Sequence, residues 1–302
     1  MHLYPLLFVP IVKKMIWGQE SWDISCRVKE MGVIENGVYA GMAFDAYLGL
    51  DRDKTLGTRL APLSRFPVLV KIITAEDALS VQVHPDDAYA QGQAEIGGGV
   101  CDSGKSEMWY ILEAPKDGHL IIGLRDGVTR EELLDAFSQK GKVAECLHRL
   151  SVEPGDMVNI PAGLIHALTP GAVIAEIQQN SDTTYRLYDY ERVGFDGQPR
   201  ELHIGHALAV ADFEGRIPKE RVDGVHCPHF TVERYVLEEA RGFASDPEAF
   251  HIILCAEGTV HLAYDGGKIK IPARRSSFIP AGMGKYTLRP EGRCVILFCT
   301  IP

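Results

Sequence analysis

Apolar and polar positions alternate along most of this chain in short runs. The run LSVQVHP (79–85) puts Ser80, Gln82 and His84 on one side of an extended backbone and Val81 and Val83 on the other. FPVLVKIITA, SEMWYILEA, HLIIGL, DMVNIPA, AVIAEIQQ and TYRLYDY have the same β-type character. FTVERYVLE, FHIILCAEGTVHLAY, KIKIPARRSSFIPA and RCVILFCT continue it toward the C-terminus. Gly, Pro, Asp and Asn turns separate the runs at the spacing of an all-β fold. Helical periodicity is confined to a few places. VTREELLDAFSQ carries a capping box in Thr129 and Glu132 and an apolar face of Leu133, Leu134 and Phe137. With KVAECLHRL it predicts a small helical insertion near 125–150. ELHIGHALAVADF (201–213) predicts a second helical stretch, and DDAYAQGQAEIGG a loop or weak helix. CAEGTVHLAYDGGKIKI predicts consecutive hairpins turning at EG and DGG.

One internal repeat organises the chain. GDMVNIPAGLIH (155–166) and SFIPAGMGK (277–285) each run a strand into P-A-G and a turn. The sixth position of PAGLIH is His166; in PAGMGK it is Lys285. Two related β-units are expected, one able to bind a metal at that position and one not. They are placed at 1–220 and 221–302, with N-terminal strands able to pair with the second. The boundary falls in the charged stretch EGRIPKERVDGVHCPH, near residue 220.

Composition narrows the class. The chain has 302 residues, 46% hydrophobic and 24% charged, as in globular proteins. No apolar run approaches the roughly 20 residues that span a bilayer. MHLYPLLFVPIVKK places its charges after its apolar patch, the reverse of a signal peptide. The seven cysteines form no C-x-x-C pair, so reduced thiols and a cytoplasmic location are expected. A net charge of -10 argues against nucleic acid or an anionic membrane as partner. An anionic ligand would need a local cluster of Lys and Arg.

Candidate chemistry gathers on the polar strand face. Pro85 ends the run after His84, leaving that histidine at a rim. Lys105 and Glu107 share a face of the next strand, and His166 follows a Pro-Gly turn. Gln82, His84, Glu107 and His166 offer two imidazoles and two oxygen donors, a set that suits a divalent first-row metal, zinc best, with a position left open. His203 with His206, and His226 with His229, lack a carboxylate at matching spacing and read as surface pairs.

These residues also carry a resemblance. Gly155, Pro161, Gly163 and His166 fit the second motif of the cupins. LSVQVHPDD (79–87), GKSEMWYIL (104–112), PAGLIHAL (161–168) and EIQQNSDTTYRLYDY (176–190) together resemble the type I mannose-6-phosphate isomerases, in their short bacterial and archaeal form. IWGQESWDIS (16–25) is similar to that family's start, so the matched blocks span 16–190.

The resemblance implies a mainly β protein of two cupin-type jelly-roll β-barrels with a small helical insertion, the second cupin being degenerate. It implies one zinc ion per chain on Gln82, His84, Glu107 and His166. It further implies catalytic roles for Arg186, Lys105 and Glu176, and substrate binding by Ser80, Lys71, Lys105 and Arg186. The partner would be a small sugar phosphate, bound by a monomer or homodimer. The reaction would interconvert mannose 6-phosphate and fructose 6-phosphate through an enediolate, with a fixed cation near the developing oxyanion. One departure stands out: enteric members carry a histidine immediately before the lysine of KSE, where this chain has Gly104. The residues leave three alternatives open: a non-catalytic sugar-phosphate-binding cupin, an isomerase of another sugar phosphate, and an iron-dependent oxygenase. The general base stays open among the candidates. YRLYDY also sets Arg186, Tyr188 and Tyr190 on one strand face, which allows the tyrosines to pack on the arginine stem; the competing reading of Arg186 is a structural ion pair with Asp182 or Asp189.

Overall fold

The computed structural model describes residues 1–97, 102–137, 142–214 and 223–302. The expected boundary near 220 and Cys101 lie outside these residues. The chain divides into two compact units. One comprises Lys14–Glu20 and Ile73–Arg221; the other comprises Met1–Lys13, Ser21–Ile72 and Val222–Pro302. Both are mainly β.

In the first unit, the strands Met157–Ile160, Glu107–Glu113 and Val173–Gln179 form one antiparallel layer with Glu107–Glu113 in the middle. Residues 73–75 run alongside, Ala75 donating to the Ala172 carbonyl at 2.9 Å. The second layer is a five-stranded sheet in the order Tyr185–Tyr188, Val81–Val83, His166–Ala167, His119–Leu124, Leu147–Ser151. One core cluster draws Trp109, Ile111, Val158, Ile160 and Ile174 from the first layer and Leu120 and Ile122 from the second, with Trp17 added by the N-terminal segment. These are the alternate residues of each strand, as period two requires.

The outward face of the second layer is apolar as well. Val81, Val83, Ile121, Ala167, Tyr185 and Leu187 pack against Leu133, Ala136, Val143, Cys146, Ala207 and Leu208 of three helices, Arg130–Phe137, Val143–Cys146 and Ile204–Val210. The valine face of LSVQVHP is therefore covered by protein. The capping box forms reciprocally: Glu132 N–H donates to Thr129 Oγ1 at 3.1 Å and Thr129 N–H to Glu132 Oε2 at 2.8 Å. DDAYAQGQAEIGG contributes a helix, Asp87–Gly97.

Two local expectations are corrected. LHRL, read as helix within the insertion, is the strand Leu147–Ser151. Pairing with His119–Leu124 satisfies its backbone and overrides its helical pattern. The EG turn joins no hairpin either. The strand His251–Glu257 pairs with Arg275–Ile279 and Cys294–Thr300, whereas Thr259–Tyr264 belongs to a different sheet. Gly258, at φ 76°, makes the crossing, and a Cβ there would lie 2.7 Å from the Arg293 carbonyl oxygen. The DGG hairpin forms as expected, pairing Thr259–Tyr264 with Gly267–Pro272.

The second unit stacks a five-stranded sheet and a four-stranded sheet on a core that includes Ile253, Cys255, Leu262, Leu288 and Ile296. Its N-terminal part joins through Leu6, which bridges Phe278, and forms a small sheet of its own in which Phe8–Val9 pairs with Val33–Ile34. The second P-A-G again follows a strand, Arg275–Ile279, but Lys285 comes out exposed.

Ile174 has no exposed surface and sits at the centre of the first unit's core. Ile174→Ala is expected to cost about 2–5 kcal/mol of stability. A urea titration checks this; a loss below about 1 kcal/mol would mean the core closes around the gap.

Candidate metal centre

The site is built from one row of side chains across the second layer and one residue of the first. His166 lies directly opposite Gln82, and Gln82 directly opposite Arg186, so the three residues stand side by side on the inward face. Ile122 flanks His166 on the other side and begins the apolar floor. Glu107 opens its strand in the facing layer. Pro161-Ala-Gly163 turns the chain into His166: Gly163, at φ 89°, donates to the His84 carbonyl at 2.9 Å, and Leu164 closes the turn on Pro161. His84 and His166 are thereby tied through the backbone as well as through their side chains.

The donor atoms converge. Ligand-capable atoms of His84, Glu107 and His166 all lie within 4.8 Å of one another, and the three residues are buried. His84 Nε2 is 3.1 Å from Glu107 Oε1, and His166 Nε2 is 3.6 Å from Glu107 Oε2. His84 Nδ1 faces the Thr183 carbonyl at 2.9 Å and His166 Nδ1 the Leu164 carbonyl at 2.8 Å. A carbonyl only accepts, so each Nδ1 carries the proton and each Nε2 offers a lone pair. This outer contact is the usual way a protein fixes a metal-ligating imidazole.

The charges fit the same picture. Burial, and next the Lys105 charge, hold the His84 imidazolium down, to about 3. Burial likewise lowers His166. Both rings are therefore neutral, and the short His84–Glu107 contact is not an ion pair. Burial would raise the Glu107 carboxyl, but the adjacent Lys105 charge outweighs it and holds it well below the usual carboxylate range. Lys105 Nζ is 2.7 Å from Glu107 Oε1 and 3.3 Å from His84 Nε2. Among the described residues neither Glu107 oxygen accepts a well-directed hydrogen bond, so the lysine contact is a charge contact. Two bare imidazole nitrogens and a buried carboxylate with acceptor capacity to spare fit a divalent first-row metal.

Gln82 stands beside this group with its amide nitrogen 3.4 Å from His166 Nε2, while its oxygen is 3.4 Å from Ser80 Oγ. Rotation of the amide by 180° exchanges the two atoms. Arg186 adjoins Gln82, and its buried Nε has no hydrogen-bond partner among the described residues. Asp189, a candidate partner for Arg186, is held instead by Arg192 at 2.7 Å and Arg200 at 2.5 Å. Burial, with Arg200 nearby, lowers the Arg186 pKa. Glu176 is buried and accepts from Trp109 Nε1 at 2.9 Å. Trp109 in turn stands edge-on to His166, ring centroids 5.3 Å apart. Lys71 belongs to the other compact unit, where its ammonium lies 4.9 Å from the centre of the Trp22 ring.

The tyrosines do not share the Arg186 face. A β-bulge after Arg186 sets Tyr188 opposite Val81, where it packs on the outer cluster, and Tyr190 leaves the strand at φ 55°. His203, read as a surface residue, is half-buried and clips both backbone groups of Arg186. Arg186 N–H donates to His203 Nδ1 at 3.2 Å, and His203 N–H donates to the Arg186 carbonyl at 2.8 Å. Gly104 has a steric explanation. A Cβ there would lie 2.5 Å from the backbone of Asp86 and Asp87, so a histidine does not fit.

Fold and site together define a mainly β, cupin-type protein with a candidate divalent-metal centre inside one unit. Comparison with known proteins gives the family. Residues 9–99 match the family model for the phosphomannose isomerase type I catalytic domain, and residues 223–299 the mannose-6-phosphate isomerase cupin domain. Mannose-6-phosphate isomerase ManA of Bacillus subtilis is 32% identical over 97% of this chain and 98% of its own. Mannose-6-phosphate isomerase of Streptococcus mutans is 38% identical over 68% of this chain and 67% of its own. A solved mannose 6-phosphate isomerase from Bacillus subtilis superposes with a TM-score of 0.84 at 29% identity, covering 98% of this chain and 99% of that one. The chain belongs to the type I mannose-6-phosphate isomerase family. Among the described residues no helix is long and apolar enough to cross a membrane.

Gly104→Ala is expected to push residues 102–106 off Asp86–Asp87 and lower Tm by several degrees. Calorimetry checks this, and an unchanged Tm would show that the backbone yields at no cost.

Proposed function

We propose that this chain interconverts mannose 6-phosphate and fructose 6-phosphate, with one zinc ion held by Gln82, His84, Glu107 and His166. The observation that carries the reading is the pair of bare Nε2 atoms facing a fully buried carboxylate, beside a half-buried arginine whose buried Nε has no hydrogen-bond partner among the described residues. Bound zinc would supply Lewis-acid polarisation of the sugar oxygens.

The other work falls to side chains. The reaction moves one proton between C1 and C2 and shifts the carbonyl, so negative charge develops on oxygen in an enediolate. Arg186, fixed by His203 and next in the row to Gln82, offers a permanent positive charge to that oxygen or to the phosphate. Lys105 is the proton-handling residue best placed, because its Nζ reaches both Glu107 and His84. Glu176 is the second candidate base; its contact with Trp109 ties it to the ring that abuts His166. The Ser80 hydroxyl and the Lys105 and Arg186 cations receive the anionic end of the substrate, the local positive cluster that a chain of net charge -10 needs. The cytoplasm is the compartment in which the six described cysteines, all free, would stay reduced.

A coupled assay tests the reading. Turnover of mannose 6-phosphate is expected to vanish with chelator and return with zinc. Folded, zinc-replete protein without turnover would leave a sugar-phosphate-binding cupin or a different sugar phosphate. His84→Ala and His166→Ala are expected to retain the fold and lose bound metal by elemental analysis; normal zinc in both would remove the ligand assignment. Arg186→Ala is expected to keep its zinc while kcat falls about a hundredfold or more. Unchanged kcat would take Arg186 out of the mechanism.

A further inference from the structure

Lys105 does not stand on a strand. It is carried by residues 102–106, which precede Glu107–Glu113 and form no ladder of their own. Side chains do the work of a ladder here. Gly104 N–H donates to Asp87 Oδ1 at 2.7 Å, and Ser106 N–H donates to Gln179 Oε1 at 2.9 Å. Lys105 N–H, between them, donates to the Pro85 carbonyl at 2.9 Å. Gln179 joins the two holds. Its own N–H donates to the Ser106 carbonyl at 3.0 Å, and its amide Nε2 donates to Asp87 Oδ1 at 3.2 Å. Gln178 braces it from behind, its amide donating to the Gln179 and Ser181 carbonyls at 2.7 Å each. The contact of Gly104 with Asp86–Asp87 leaves no room for a side chain, so the segment lies hard against this support.

We propose that Gln179 is a positioning residue for Lys105. It grips both backbone groups of Ser106 on one side of Lys105. It also orients the carboxylate that grips Gly104 on the other. The Lys105 Cα is thereby pinned between two fixed neighbours, which sets the reach of Nζ to Glu107 and His84. Of the segment's side chains, Lys105 is the one that reaches Glu107 and His84; Ser106 Oγ turns instead to the Ala162 N–H at 3.3 Å. An error of about 1 Å in such a group can lower the rate a hundredfold. The inference rests on the reading of Lys105 as a proton-handling residue, and its test separates the two.

The variants are Gln179→Met, which keeps the volume and loses both polar contacts of the side chain, and Gln179→Glu, which keeps the acceptor for Ser106 and loses the donor to Asp87. Each is measured for kcat, KM, zinc content and Tm. The rate of Lys105 acetylation by acetic anhydride is followed by peptide mass spectrometry. In Gln179→Met, kcat is expected to fall about tenfold or more while KM moves less than about threefold, with zinc content retained. Lys105 is expected to acetylate faster than in the parent protein, and Gln179→Glu to fall between. Slower turnover without faster labelling, or faster labelling without slower turnover, overturns the proposal. So does loss of fold or zinc in both variants, which makes Gln179 a structural residue. If the parent protein turns over no mannose 6-phosphate, the isomerase reading falls and labelling alone decides: faster acetylation supports the positioning role, and an unchanged rate overturns it.

Discussion

The constraint on which the site depends is the burial of the Glu107 carboxylate. A charge taken wholly out of water carries an effective penalty of several kcal/mol that its surroundings must offset. The chain meets this with one ammonium at 2.7 Å, and burial keeps the two imidazoles beside it neutral, their bare Nε2 atoms turned toward the carboxylate. That arrangement dictates much of the local structure. Both imidazoles must keep their protons on Nδ1, so Thr183 and Leu164 each present a carbonyl. Lys105 must reach a strand's first residue from outside the strand, so the segment ahead of it is pinned by Asp87 and Gln179. The acceptor capacity left on Glu107 is what a divalent metal would satisfy.

The sequence made the polar row legible because strand geometry is simple. Period two alone put Ser80, Gln82 and His84 together and turned Val81 and Val83 the other way, and the P-A-G turn marked His166. Three kinds of feature were not legible. A β-bulge changes face without changing composition, so Tyr188 parted from Arg186 unannounced. Pairing overrode local propensity in LHRL, where the ladder partner is remote in sequence. The Gln179–Asp87 contact spans 92 positions and has no periodicity to betray it. The one trace was Gly104, which read as a missing histidine and is better read as a backbone with no space beside it.

His203 shows the limit of reading histidines by spacing. Its pairing with His206 suggested a shared helix face. Its ring instead accepts from the backbone of Arg186, a contact available only to the neutral form. Burial, and then the Arg186 charge, lower its pKa and so favour that form. An edge strand normally leaves such backbone groups to water. Here one residue satisfies both, at the position where the strand bulges and the guanidinium has to stay aligned with Gln82.

The second unit shows what the same frame becomes when its buried carboxylate, Asp23, is paired with Arg275 at 3.0 Å instead of facing two imidazoles. Its P-A-G turn leads to an exposed lysine, and among the described residues it holds no comparable metal-capable group. Aromatic rings pack one another instead. Phe243 stacks on Tyr286 and Phe298, and His251 Nδ1 lies 3.0 Å from the Tyr286 hydroxyl. A histidine engaged by tyrosine and packed edge-on to Phe298 serves a core. The two units thus separate what the β-frame provides from what the site requires. Strands and a P-A-G turn suffice to place a side chain. A metal centre needs, in addition, a buried carboxylate facing paired imidazoles and the fixed backbone carbonyls that hold those rings with Nε2 bare.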